Sequence, residues 1–210
     1  MKIINKPDKG EYAPYTSMYI DLLPDDGLVL KHLSENSRRV IDFVQSISEY
    51  KLTYRYAENK WTIKEMLVYI IDDERIYAYW ALRYVRNYTT ELPGIEQDDY
   101  ALNSFANERD MKSIIDEYKS VRDSTIAFFN GLDDKVLKRT GIADGNIMSV
   151  RTAACHIASH KLHHINIIKE NYLWCPLCRK NGKEVRGITI INLLLHIQQY
   201  FIMLELWNTN

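Results

Sequence analysis

Four of the six histidines fall in one short run, His156-Ile-Ala-Ser-His160-Lys-Leu-His163-His164. Imidazole titrates near neutral pH and is the commonest protein ligand for transition metals, so this run is the segment best equipped for chemistry. On a helix that turns about 100° per residue, positions 156, 160, 163 and 164 fall within an arc of about 100° and project from one face. Side chains at i and i+4 can offer two neutral nitrogens to one divalent ion, and both His156 with His160 and His160 with His164 have that spacing. An isolated histidine more often pairs with a carboxylate, but the clustering of four favours the metal reading. Two imidazoles alone hold an ion poorly, so a third ligand must come from another helix. Met66, Tyr69, Asp73, Tyr77 and Trp80 share a helical face, where Asp73 and Glu74 supply carboxylates in an otherwise apolar stretch. Ion pairs of Asp73 and Glu74 with Arg75, Arg83 or Arg86 are an equally weighted reading of the same residues.

The elements that must carry these residues read as helices. Eight glycines and five prolines in 210 residues are too sparse for an all-β or βαβ chain, and 46% hydrophobic with 26% charged residues is ordinary globular usage. A net charge of −1 leaves no basic field to drive binding to nucleic acid. The opening MKIINKPDKGEY lacks the apolar run of a secretory signal, which predicts a cytoplasmic chain with reduced thiols. Three cysteines, two of them in a single C-x-x-C at Cys175 and Cys178, imply no disulfide framework.

Residues 1–24, interrupted by Pro7, Pro14 and Pro24, read as an extended arm without assigned chemistry. Apolar residues spaced by three and four predict a first helix over Asp25 to Ser48. The capping-box pattern Thr62-Ile-Lys-Glu65 opens a second, running to about Asn87. Thr89 to Asn107 reads as a long loop, too polar and broken for a core element. A third helix runs from Met111 to about Leu132, with Gly131 near its stop. After a loop through Gly141 and Gly145, Ser149 caps a fourth helix that reaches roughly Tyr172.

Together these predict an all-α protein, a four-helix bundle over residues 25–174 with a C-terminal extension over 175–210. Residues 188–207 hold 14 apolar residues in 20. Asn192, His196, Gln198, Gln199 and Glu205 within them would be costly in lipid, so the stretch is expected as an additional packed helix and not a membrane span. A structural zinc site combining Cys175 and Cys178 with His163 or His196 is a weaker possibility, because one C-x-x-C lacks a paired second motif.

Three separated stretches carry a family resemblance. Trp61-Thr-Ile-Lys-Glu-Met-Leu-Val-Tyr-Ile-Ile-Asp-Asp-Glu-Arg75, then Leu92-Pro-Gly with Gln97-Asp-Asp-Tyr100, then His156 to Ile168 together resemble the DinB/YfiT superfamily over about residues 20 to 173. The resemblance implies a homodimeric four-helix bundle of DinB type with nickel or zinc on three histidines, acting as a metal-dependent hydrolase or, in some relatives, as a thiol S-transferase. It puts two ligands at His160 and His164. The third falls at Tyr69, where the family has histidine, and a phenol could ligate only after losing a proton of ordinary pKa near 10. His156 is the alternative third ligand. Lys161 stands where relatives commonly carry glutamate, and Trp80 where they often carry arginine. Tyr69, Lys161 and Trp80 also support a second expectation, a catalytically degenerate bundle that binds a small molecule or a partner.

Overall fold

The computed structural model describes residues 1–173. Residues 174–210, and with them Cys175, Cys178, His196 and the helix expected over 188–207, lie outside the described residues. The elements in chain order are α1 (Ser17–Ile20), α2 (Val29–Gln45), α3 (Glu49–Leu52), α4 (Ile63–Val85), α5 (Gln97–Leu102), α6 (Met111–Asn130), β1 (Thr140–Ala143), β2 (Asn146–Ser149) and α7 (Val150–Ile167), followed by a π-helical turn over Ile168–Leu173. The long helices α2, α4, α6 and α7 form the four-helix bundle, with α4 and α7 packed on each other most extensively.

Local chemistry sets where these helices start. Thr62 Oγ1 accepts from the Glu65 N–H at 3.1 Å while the Glu65 carboxylate accepts from the Thr62 N–H at 2.7 Å, so the capping box is closed at the head of α4. Ser149 Oγ accepts from the Thr152 N–H at 3.1 Å and starts α7 where the sequence places its cap. The first helix begins at Val29 rather than Asp25. Gly27 at φ +70° and an Asp26 carboxylate that accepts from the Leu28 N–H form a turn there first.

Three connecting segments differ from their sequence reading. The loop through Gly141 and Gly145 is a β-hairpin, with Thr140 paired to Ser149 and Ala143 to Asn146. Asp144 and Gly145 both take positive φ at its turn, the conformation for which Asp-Gly is favoured in two-residue hairpins. Gly141 lies so close to the Tyr84 ring that a Cβ there would fall 1.9 Å from it. The Thr89 to Asn107 loop contains α5 and buries Leu92, Ala101 and Ala106, and Leu92 bonds to the hairpin through Ile142 and Asp144. The N-terminal arm is partly helical, and Ile4, Ile20 and Leu23 enter the core. Its apolar residues are spaced by loop geometry, so no period reports them.

The core falls into two apolar clusters. One joins the C-terminal half of α4 to the start of α7, and the other joins the start of α4 to the end of α7, as antiparallel packing requires. Asp73 of α4 and the histidines of α7 occupy the level between them. Among the described residues, no helix is long and apolar enough to cross a membrane.

Candidate metal centre

The packing of α4 against α7 brings Asp73 opposite the histidine run. Asp73, His156, His160 and His164 are all buried, the most exposed being His164 at 8%. Asp73 Oδ2 lies 3.2 Å from His156 Nε2 and 3.0 Å from His160 Nδ1. Among the described residues, Asp73, His156 and His160 are the group of histidine, cysteine and carboxylate side chains gathered closely enough to share an ion. The other nitrogen of His160, Nε2, lies 3.0 Å from His164 Nε2. His160 is therefore common to two sets of donors, one facing Asp73 and one facing His164.

Aromatic rings wall this row. Tyr77 stacks on His156 with centroids 3.7 Å apart and planes 6° from parallel. Tyr19 sets its ring edge-on to His156, His160 and His163 at 5.2, 5.4 and 5.5 Å. Tyr69 lies edge-on to both His160 and His164 at 5.7 Å, with Trp61 against its other side at 4.8 Å. The sequence reading placed Tyr69 and Tyr77 on the correct face of α4 but missed Tyr19. Its spacing of four from Tyr15 was the available signal, and the prolines around it obscured the helical turn.

Burial decides the protonation of the site. Burial alone would push the Asp73 carboxyl up, but His160 and His156 beside it prevail and hold it well below the ordinary carboxylate range. Desolvation lowers the pKa of His156 despite Asp73, and it lowers that of His164 far more, with His160 and His163 adding to the effect. Both therefore stay neutral at pH 7, the form that ligates metal. Desolvation, then Asp73, pushes the Tyr69 phenol far above its ordinary value, so it is a neutral hydroxyl there and a poor anionic ligand. The buried Cys155 thiol is raised to about 12 by desolvation and does not act as a thiolate.

The donor set suits a borderline divalent ion. The nitrogens that converge are His156 Nε2, both nitrogens of His160 and His164 Nε2, while among the described residues the buried Nδ1 atoms of His156 and His164 have no hydrogen-bond partner. Separations of 3.0 to 3.2 Å between donors fall within the roughly 4 Å that two bonds of about 2.1 Å to one ion permit. Nitrogen and carboxylate oxygen together match zinc, nickel or cobalt better than the all-oxygen preference of calcium or magnesium.

The ion pairs proposed for Asp73 and Glu74 with Arg75, Arg83 or Arg86 are replaced. Arg75 pairs with Asp72 and Glu117, and Arg83 lies over the Tyr88 ring. Glu74 turns away from the histidines toward Arg122 of α6 at 2.7 Å.

Comparison with known proteins agrees with this fold. The sequence pattern of the DinB superfamily matches residues 32–168, more than half of the chain, and the chain belongs to that superfamily. Among solved structures it is similar to YfiT from Bacillus subtilis, described as a probable metal-dependent hydrolase with an unusual four-helix bundle topology. The two superpose with a TM-score of 0.59 at 15% identity, over 81% of this chain and 94% of YfiT. No curated protein matches the sequence.

The lowered imidazoles set an acid limit on stability. Below about pH 6.5 an unfolded chain protonates His156 and His164 while the folded chain does not, so the unfolded state binds more protons and stability falls with pH. The slope approaches about 1.4 kcal/mol per pH unit for each imidazole that stays neutral. Asp73 adds a further loss below its unfolded value of 3.8. Thermal melts of metal-free protein should show the midpoint dropping steadily from pH 7 to pH 5, and a midpoint unchanged over that window contradicts neutral burial.

Proposed function

We propose that this chain is a metal-dependent hydrolase or a thiol S-transferase-like enzyme, with a divalent ion, nickel or zinc, held on the histidine row of α7. The observation that supports it most is the convergence of His156, His160, His164 and Asp73 within hydrogen-bond distance in a buried, aromatic-walled site. The relationship to YfiT and its superfamily supports the same reaction class. When bound, such an ion polarises a substrate carbonyl and lowers the pKa of a water molecule.

The chain's own residues prepare the site for that chemistry. The Asp73 carboxylate accepts from the His160 Nδ1–H when no ion lies between them, which fixes the ring and its tautomer. Tyr19, Tyr69 and Tyr77 exclude bulk water and strengthen each charge interaction inside. The homodimer implied by the family resemblance and the cytoplasmic setting expected from the sequence belong to the same proposal.

One observation favours the second reading, a degenerate bundle that binds a small molecule or partner. Tyr69, at the position of the family's third histidine, is 2% exposed and packed between Trp61 and the imidazoles as an ordinary core ring. A panel of simple esters, amides and thiol-transfer substrates separates the two. The enzyme reading expects turnover that a chelator abolishes and nickel or zinc restores. Binding of a panel compound without turnover, in metal-loaded protein, supports the degenerate bundle.

A further inference from the structure

We infer that the ion site of this chain has moved by one helical turn, from the family positions 69, 160 and 164 to Asp73, His156 and His160. The inference rests on the metal-centred reading above and concerns which residues carry it.

The packing of α4 against α7 makes the move possible as a unit. The helices run antiparallel, so a step of four residues forward on α4 faces a step of four back on α7. Residue 69 becomes 73, and the pair 160 and 164 becomes 156 and 160. Each step of four residues is slightly more than one turn, about 6 Å along the helix. His160 belongs to both sets and changes only the nitrogen it uses. It offers Nε2 toward His164 in the family arrangement and Nδ1 toward Asp73 in the shifted one.

The shifted set is complete where the family set is not. At the family level the third corner is the phenol of Tyr69, held between Trp61 and two imidazoles. One turn further, Asp73 Oδ2 lies 3.0 Å from His160 Nδ1 and 3.2 Å from His156 Nε2, and all three residues are buried, none more than 4% exposed. A carboxylate there supplies the negative charge that a site of imidazoles and a neutral phenol lacks. Two imidazoles and one carboxylate are also a sufficient protein ligand set for a catalytic divalent ion.

The choice of nitrogen at His160 and the contrast between His156 and His164 give the test. Full-length protein with 15N-labelled histidine is titrated with Zn2+ and followed by NMR, and Co2+ affinity is measured by competition for the wild type, His156→Gln and His164→Gln. The expected result is coordination at His160 Nδ1 and at His156, with the His164 ring unliganded. His156→Gln should bind Co2+ more than about 100-fold more weakly, beyond the usual cost of losing an outer partner, and His164→Gln should stay within about threefold of wild type. Coordination at His160 Nε2 and at His164, with the larger loss in His164→Gln, overturns the shift while leaving the metal reading intact. No zinc-dependent change at any histidine overturns both. The wild-type NMR result stands even where a variant fails to fold.

Discussion

Glu74→Gln is expected to destabilise the bundle by about 3 to 5 kcal/mol, the usual consequence of removing one partner from a buried ion pair. Glu74 and Arg122 are each 1% exposed and meet at 2.7 Å between α4 and α6. Lys161 of α7, also 1% exposed, reaches the Leu33 carbonyl of α2 at 3.3 Å. Desolvation and then Arg122 push the Lys161 pKa far down, while Glu74 pulls it up. Glu74 is thus the counter-charge of the buried Arg122 guanidinium, and its loss leaves Arg122 without an anionic partner. Arg122→Met should cost less, because Lys161 can take up a proton and face Glu74 in its place. Chemical denaturation of both variants checks the order. A Glu74→Gln protein within about 1 kcal/mol of wild type, the range of ordinary surface changes, contradicts it.

His160→Ala is expected to remove measurable binding of a divalent ion, a loss of more than about 100-fold, because no other side chain belongs to both donor sets. Its Nδ1 faces Asp73 and its Nε2 faces His164, so either placement of the ion needs this ring. Competition titration of folded His160→Ala protein with zinc and nickel measures the effect. Binding of wild-type strength would show that the ion, if held, sits elsewhere in the chain.

Both predictions concern residues whose roles were unevenly legible in the sequence. The histidine row was readable because a helix repeats with a fixed angle, so spacing alone puts positions 156, 160, 163 and 164 on one face. Thr62-Ile-Lys-Glu65 and Ser149 were readable because capping is local chemistry, complete within four residues. The pairing of Asp73 with His156 and His160 was not, since it depends on the register between α4 and α7 across 83 residues of chain. Local charge rules left neighbouring arginines and a ligand role equally open for Asp73 and Glu74, and tertiary packing set Asp73 on the histidines and Glu74 on Arg122. The hairpin was missed although Asp144-Gly145 marks its turn, because strands of four residues show too little alternation to register as a period. Tyr19 was missed because the helix that carries it, α1, is only four residues long and lies between Pro14 and Pro24, too short to show a period.

The central claim is that α4 and α7 together hold one divalent ion, and crystals grown with zinc test it most directly by anomalous scattering at the zinc edge. The account predicts a single strong peak per chain at bonding distance from His160, within the group formed by Asp73, His156 and His164. A protein saturated with zinc whose anomalous map has no peak at His160 would contradict it.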